Sequence, residues 1–563
     1  MSIVGTEAAV LIEAVEEPQE IGSGTEIGRS HAVLVVAGCI ATIALPLVVA
    51  LVVLREPHWL PVRDLAETEM RVRDVTSSDP PLVGLLGRLW GYGEAGRHPG
   101  PLGFYALWPV YELFGGSSWA LQVSSAALSL GGAGVAVWIG HRRGGAAGAL
   151  AVTAALLVLL RAYTPQRITE PWNPHLPLVW WVVFLLALWS LLCRDRAMLP
   201  IAIFAGTFCM QNHIPYVALV VGMGAAVTAL LARPTLAAWR RNEPGVRRSL
   251  LRWTGGASLL LGALWLPPVA DQIVHRPGNL AILLETFRHP YDKRPSLSLA
   301  FDTWVSHLDP IRLLTGDIHM FMTPLHRLPG LLMLGVWLAT VALAWHQGDR
   351  TTLRLHAVVG LALVVGLVAV LRIFGLLFDY LTYWGWGTTA LLLLSIVWTL
   401  RPWLTGRTAI AVLGVCVVGL STAFSVDAAS TEPSGGEESR TIAPLIAATV
   451  DRLRSDPAGC GDDCRYLLTW DDTTVIGNGG AGIILALEHH GIDARAHPIQ
   501  VDVMRSRIIN PAKADAEVHF AMGDKAIEFW DDRLDAVRIA YRAGDPEHPN
   551  AYEENRAVYL VVR

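Results

Sequence analysis

The sequence is poor in charged residues. Only 17% of its 563 residues are Asp, Glu, Lys or Arg, whereas 53% are hydrophobic. Soluble domains carry about 25% charged residues, so this composition excludes an ordinary soluble protein and indicates an integral membrane protein. A basic patch interleaved with aromatic residues is also missing, which excludes the usual nucleic-acid-binding surface.

Cysteine is scarce as well, with six residues in all. Four lie in or beside apolar segments and are interpreted as small core residues: Cys39, Cys193, Cys209 and Cys416. Cys460 and Cys464 lie in a polar region that has no second cysteine pair, so their spacing does not predict a zinc site. If this region lies outside the cytoplasm, we predict a local disulfide between them.

Residues 1–30 are acidic and lack the basic start of a signal peptide, so we predict a disordered cytoplasmic tail. Segment 31–54 carries no charge and exceeds the roughly 20 residues that cross a bilayer. Ten further uncharged segments follow: 117–140, 145–160, 175–193, 197–211, 214–232, 253–270, 328–346, 355–371, 380–400 and 408–426. The sequence therefore predicts a mainly α, polytopic membrane protein with about 11 transmembrane helices over 31–426.

The basic loops predict how the chain is oriented. They are 141–143, 194–196, 233–252, 347–354 and 401–407, and the positive-inside rule assigns them to the cytoplasm. Outer loops 55–116 and 271–327 then face out of the plasma membrane, together with the C-terminal region. This scheme requires 101–115 to be an interfacial or re-entrant helix, because a full crossing would reverse every later assignment.

The C-terminal region differs in charge from the rest. Residues 427–563 hold 24 acidic and 14 basic side chains, whereas residues 1–426 hold 25 acidic and 30 basic ones. We predict a linker over 427–439 and a small extracytoplasmic α/β domain over 440–563. Its predicted strands are Tyr466–Trp470, Arg495–Pro498, Glu517–Met522 and Ala557–Val562, and its predicted helices are 440–454, 480–490 and 524–532.

Ionisable side chains gather on the predicted outer face, where chemistry is expected in a membrane protein. Asp64, about ten residues past the first span, is the candidate catalytic residue; the alternative is that it caps a surface helix. Glu67, Glu69, Arg71 and Arg73 stand at helical spacings, and the alternative is that they only pair with one another. The candidate substrate-binding residues are Glu67, Glu69, Asp74, His98, Arg167, Glu170, Asn173, His213, Asp271 and Arg372.

Arg372 interrupts an apolar stretch near a membrane boundary. A guanidinium in such a place needs an anionic partner or a water-filled cavity. Asp379 and a ligand phosphate are the two alternatives for that partner.

Three elements of this layout resemble the GT-C class of membrane glycosyltransferases, typified by protein O-mannosyltransferases and lipid A aminoarabinose transferases. They are Asp64 after the first span, the run His98-Pro99-Gly100-Pro101-Leu102, and Leu113-Phe114-Gly115. The outer turn from Arg161 to Glu170 is similar to the arginine-bearing turn that the family places near its donor. Two departures stand out: Leu65 follows Asp64 where the family has a glutamate, and Gly100 replaces a proline.

The resemblance implies transfer of a sugar from a polyprenyl-phosphate donor to a hydroxyl of a cell-envelope glycan, lipid or protein. Asp64 would be the general base. Arg167, His213 and Arg372 would stabilise the departing phosphate, and Glu170, Asp271 or Asn173 would hold sugar hydroxyls. No cofactor is implied and no metal is required, although Asp64 with Asp74 could hold one.

Two other functions stay open. One is a transporter or flippase of lipid-linked saccharides, and the other is a non-enzymatic membrane scaffold with a glycan-binding domain. If the C-terminal domain binds glycan in an enzyme, we expect deletion of 430–563 to change acceptor choice rather than abolish activity.

Overall fold

The computed structural model describes residues 26–55, 59–241, 244–321, 323, 325–403, 406–455, 464–471, 479–544 and 554–562. Most of the predicted N-terminal tail, residues 1–25, lies outside this part of the chain. A helical part comes first and is followed by an α/β part. The helices of the first part are α1 (Glu26–Val53), α2 (Asp64–Arg73), α3 (Leu102–Leu113), α4 (Ser118–Thr169), α5 (Leu178–Leu192), α6 (Leu199–Asn212), α7 (Pro215–Arg240), α8 (Pro244–Val274), α9 (Asn279–Arg288), α10 (Leu297–Ser306), α11 (Pro310–Thr315), α12 (Arg327–His346), α13 (Arg350–Arg372), α14 (Trp384–Leu400) and α15 (Arg407–Ala428).

Each of the 11 predicted apolar segments lies on one of these helices. Helix α4 contains two of the segments and is broken between them, because Gly144 and Gly145 have non-helical backbone angles. Among the described residues, seven helices are long and apolar enough to cross a membrane by length and composition. The protein is therefore a multi-pass membrane protein, and the number of crossings stays a prediction.

Four of the five basic loops, all but 233–252, meet on one face of the bundle, here called the arginine face. Hydrogen bonds link them as follows: Arg142 to Asp195, Trp189 to the Thr351 carbonyl and Arg401 to Asp349. The opposite ends of the helices form the site face. There Ser125 Oγ donates to the Glu170 carbonyl, so α4 folds back on itself and begins and ends at the site face.

Helix α3 also stays at the site face. At its start, Leu102 N donates to Gln211 Oε1 at the end of α6. Just beyond its end, Trp119 Nε1 donates to the Leu51 carbonyl near the end of α1. With 12 residues, the helix is about 18 Å long. It thus begins and ends on one face, which is the arrangement that the predicted orientation requires.

The C-terminal part is a five-stranded mixed sheet with helices. Its elements are α16 (Gly436–Arg454), β3 (Arg465–Trp470), α17 (Gly479–His489), β4 (Asp493–Ala496), α18 (Val501–Met504), β5 (Ala516–Met522), α19 (Asp524–Asp531), β6 (Ala536–Arg542) and β7 (Arg556–Val562). The strands β1 (Leu86–Gly91) and β2 (Glu94–Arg97) belong to the helical part, where they form a hairpin between α2 and α3. The strand order is β4-β3-β5-β7-β6. Strand β3 is parallel to β4 and β5, and β7 is antiparallel to β5 and β6.

Strand β6 was not predicted, and β4 begins two residues before the predicted Arg495–Pro498. Helix α16 begins at Gly436, inside the predicted linker. Cys464 is disulfide-bonded, while Cys460, its predicted partner, lies outside the described residues.

Helix α2 lies between the two parts of the chain. Ala66 and Met70, on one side of α2, and the preceding Val62 belong to the same buried apolar cluster as Ile446 and Leu485 of the C-terminal part. Val72, on the other side, packs in the core of the helical part. The helix that carries Asp64 is therefore shared between both cores.

Candidate active site

Asp64 is the first residue of α2 and is half-buried. Its Oδ2 accepts a hydrogen bond of 2.9 Å from Trp172 Nε1, so the carboxylate points toward the turn after α4 rather than capping its own helix. Burial raises the pKa of Asp64 above its ordinary value, while the hydrogen bond from Trp172 and the charge of Arg63 act in the opposite direction. A carboxylate with a raised pKa is a stronger base once ionised.

Aromatic rings connect Asp64 to the predicted histidines. Trp172 stands edge-on to Tyr380 and to His175, with ring centroids 5.1 and 5.0 Å apart. The ring centroid of His213 lies 6.0 Å from that of Tyr380 and 5.4 Å from that of His98. The structure thus brings Asp64, His98 and His213 into one contiguous group, although these residues come from three separate loops.

Arg167 and Glu170 lie at the other side of this group. Glu170 Oε2 is 3.0 Å from His175 Nδ1. Neither ring nitrogen of His175 forms a hydrogen bond within the described part of the chain, so this contact is close but not aligned as a hydrogen bond. The Arg167 guanidinium is 5.5 Å from the Tyr383 ring, and its Nη2 is 3.0 Å from His319 Nε2. Glu170 therefore lies beside His175, and Arg167 lies beside Tyr383 and His319.

Arg88 is a site residue that the sequence analysis missed. It lies on β1, is exposed, and holds its guanidinium 4.3 Å from the Phe378 ring, which stacks on Tyr380 at 5.6 Å. Its positive charge is one of those that lower the pKa of Asp64. The only sequence signal was an arginine within the first outer loop, because no motif singles it out.

Arg372 ends α13 at the site face and is exposed. Asp379 is not its partner: that carboxylate accepts hydrogen bonds from the backbone amides of Met320 and Phe321, at 2.8 and 2.6 Å, and lies 3.2 Å from His319. No ion pair of Arg372 occurs among the residues that the structure describes. Of the two predicted partners, Asp379 is therefore excluded, and contact with a ligand phosphate stays a prediction.

Two predicted binding residues are occupied by the protein's own groups. Glu69 is fully buried, with its Oε1 3.0 Å from the Tyr111 hydroxyl and 2.7 Å from His489 Nε2. Asp74 accepts hydrogen bonds from Arg71 and Arg507. Asp74 thus binds guanidinium groups, and no cluster of three or more His, Cys, Asp or Glu that could hold a metal ion occurs among the described residues.

Asp271 and Asn173 likewise hold loops together. Asp271 Oδ2 accepts from the backbone amide of Asn279, and Oδ1 lies 2.9 Å from His275 Nδ1. Asn173 Nδ2 donates to the Asn212 carbonyl at 3.2 Å. Both residues thus hold neighbouring loops in place, and their predicted contacts with sugar hydroxyls stay a prediction.

Glu67 is buried beside two arginines. Its Oε1 is 3.8 Å from Arg97 Nη1, and this oxygen has no hydrogen-bond partner within the described residues. Burial raises the pKa of Glu67 to about 7, while the charges of Arg97 and Arg71 lower it. The charged residues of α2 therefore reach partners outside the helix, and the alternative that they only pair with one another does not hold.

The raised pKa of Glu67 predicts a pH-dependent stability. Between the ordinary value of 4.5 and about 7, the folded state holds a proton that the unfolded state releases, so stability falls as pH rises through this window. Glu67→Gln should raise the free energy of unfolding at pH 8, by at most about 3 kcal/mol, and change it little at pH 4.5. Thermal unfolding in detergent at both pH values measures this difference.

The matched control is Glu94→Gln, at an exposed position of the same loop, which should leave the unfolding temperature unchanged. An effect of Glu67→Gln that is equal at both pH values would contradict the predicted titration.

The chain as a whole is similar in structure to a solved membrane protein. ArnT from Cupriavidus metallidurans bound to undecaprenyl phosphate gives a TM-score of 0.53 with 13% identity, covering 92% of this chain and 97% of that one. The same protein in the apo state gives 0.56 with 12% identity over the same shares. The chain has the GT-C fold. This confirms the predicted fold class.

A weaker likeness links the chain to the apo oligosaccharyltransferase from Archaeoglobus fulgidus, with a TM-score of 0.42 and 11% identity over 82% of this chain and 65% of that one. No protein-family model and no curated protein matches the sequence.

Proposed function

We propose that this protein is a glycosyltransferase that moves a sugar from a polyprenyl-phosphate donor to a hydroxyl of a cell-envelope glycan, lipid or protein. The observation that carries the proposal is the half-buried Asp64 carboxylate, set on a GT-C fold among aromatic rings and guanidinium groups. The basic loops support an extracytoplasmic site face, with the C-terminal domain on the same side of the plasma membrane.

The chemistry needs a base and a cationic surface. The acceptor oxygen attacks the anomeric carbon of the donor, the bond from that carbon to the phosphate oxygen breaks, and Asp64 takes the hydroxyl proton. Polyprenyl phosphate leaves with added negative charge, which the guanidinium groups of Arg88, Arg167 and Arg372 would stabilise.

The surroundings of Asp64 support a lipid-linked sugar as the donor. A long apolar chain fits the bilayer around the helices, and undecaprenyl phosphate is the molecule bound in the ArnT structure. Glu170 could accept hydrogen bonds from sugar hydroxyls, and the Trp172 and Tyr380 rings offer apolar faces to a sugar ring. These groups do not distinguish a pentose from a hexose, so the proposal includes both.

The test is donor cleavage. Purified protein in lipid vesicles is given polyprenyl-phosphate arabinose, mannose or glucose, with and without an envelope glycan extract as acceptor, and free polyprenyl phosphate is measured by mass spectrometry. We expect release that depends on the acceptor with one of the donors. Movement of intact donor across the bilayer without any cleavage would instead support the transporter alternative.

Arg372→Ala should raise the KM for the donor by about 10- to 100-fold, because one charge-assisted hydrogen bond to a phosphate contributes about 1.5–3 kcal/mol. Arg372→Lys should recover part of the affinity, since it keeps the charge but not the fork geometry. Steady-state kinetics with varied donor concentration measures this effect.

The control is Arg350→Ala, at the start of the same helix and therefore on the arginine face, which should leave the KM unchanged. Equal effects of the two alanine variants would contradict a phosphate contact at Arg372.

A further inference from the structure

The C-terminal domain contacts α2 along its whole length. Three polar links run from the start to the end of the helix: Arg63 to Glu438 at 3.2 Å, Glu69 to His489 at 2.7 Å, and Asp74 to Arg507 at 2.9 Å. In the last of these links, both side chains are less than a tenth exposed. The domain thus holds the helix that carries the proposed base at three separate points.

Apolar packing and a close backbone approach reinforce these links. Val62, Ala66 and Met70 are part of the buried cluster of the C-terminal domain. A side chain at Gly482 of α17 would place its Cβ only 2.7 Å from the Pro61 carbonyl oxygen, so the domain presses directly on the segment that leads into α2.

The backbone just before Asp64 is strained. Arg63 has φ 54° and ψ −129°, a conformation that costs a non-glycine residue about 1–3 kcal/mol and persists only when the surroundings enforce it. Glu438 provides an ion pair to this residue, and its side chain is only 10% exposed. The preceding residues are held as well, because Trp59 Nε1 donates to the Ser434 carbonyl and Leu60 N donates to Ser439 Oγ.

We infer that the C-terminal domain is a positioning element of the active site, and that Glu438 is a positioning residue which holds Arg63 in its strained conformation and so directs Asp64 toward Trp172. This inference rests on the proposed function, because it assigns Glu438 to the same transfer reaction. Glu438 touches neither donor nor acceptor; it acts through Arg63. A misplacement of about 1 Å at a reacting group can cost about 100-fold in rate, so a strained helix start gives the domain strong control over the reaction.

The first test compares Glu438→Gln and Glu438→Asp in the full-length protein. The neutral glutamine should lower kcat by about 10- to 100-fold, with the donor KM within about twofold of wild type. The aspartate keeps the charge and should restore most of the activity. The matched control is Asp515→Asn, which breaks the exposed pair with Arg465 in the same domain and should leave kcat unchanged.

The second test uses glycine, which adopts positive φ at little cost. Arg63→Gly should retain more activity than Arg63→Ala, because alanine loses the ion pair and still carries the strain. In the Arg63→Gly background, Glu438→Gln should have little further effect on kcat. A double-mutant cycle at these two positions measures this coupling.

The outcomes separate this inference from the proposed function when Asp64→Asn is assayed in parallel. An inactive Asp64→Asn with a fully active Glu438→Gln would overturn the positioning role alone. An active Asp64→Asn would remove Asp64 as the base. A wild-type protein that cleaves none of the polyprenyl-phosphate donors would overturn the proposed function itself. A loss of kcat in Glu438→Gln that is matched by an equal fall in the amount of folded protein would also overturn the positioning role, since the effect would then be purely on stability.

Discussion

Asp64→Asn should lower the rate of sugar transfer by about 10²–10⁴-fold, the usual contribution of a positioned general base. Asparagine keeps an oxygen that can accept the hydrogen bond from Trp172, so the geometry of the site should survive. It cannot take the acceptor proton, so the chemical step should fail while the donor still binds. Transfer from a labelled donor, measured beside donor affinity in the same vesicles, checks both parts.

The matched control for this variant is Asp79→Asn. Asp79 lies in the same loop and is exposed, so its neutral variant should transfer sugar at the wild-type rate. Wild-type kcat in Asp64→Asn would remove this carboxylate from the reaction.

Arg507→Ala should have the largest effect on stability, up to about 3–5 kcal/mol, because it takes one of two guanidinium partners from the buried Asp74 and also removes a partner of the partly buried Glu488. Arg507 donates to Asp74 at 2.9 Å and to Glu488 at 2.7 Å, and it ties the end of α2 to the C-terminal domain. Thermal unfolding in detergent, followed through the fluorescence of the domain's tryptophans, measures the loss.

Arg538→Ala provides the comparison for this loss. Arg538 forms a pair with Asp531 in which both side chains are more than 40% exposed, and such surface pairs contribute at most about 1 kcal/mol. If both variants lowered stability equally, the buried network around Asp74 would not stabilise the junction between the two parts of the chain.

Hydropathy predicted the helical part well because a segment in lipid must satisfy its backbone hydrogen bonds internally, which makes long apolar segments helical. All 11 apolar segments lie on helices, including the two that share α4. The C-terminal strands were predicted less completely. Strand β6 contains two arginines, Arg538 and Arg542, within a seven-residue segment. In the described sheet it lies at the edge, with β7 as its one neighbouring strand.

The site was predicted in part, since charge near a membrane marks residues without showing what they touch. Asp64, His98 and His213 come together through the rings of Trp172 and Tyr380. Asp74 and Asp271 carry the same charge as Asp64, but each has two partners within the protein, whereas Trp172 is the one side chain that donates to Asp64 in the described part of the chain. Only the fold separates these cases, because the partners are distant in sequence: Asp74 and Arg507 are 433 residues apart.

The most direct test of the account is a structure of the Asp64→Asn variant with a polyprenyl-phosphate sugar bound. We expect the sugar to lie between residue 64 and Tyr380, with the phosphate within hydrogen-bonding distance of at least one guanidinium of Arg88, Arg167 or Arg372. A head group bound at the arginine face, or one whose anomeric carbon is separated from residue 64 by intervening side chains, would contradict Asp64 as the base and the site face as the place of transfer.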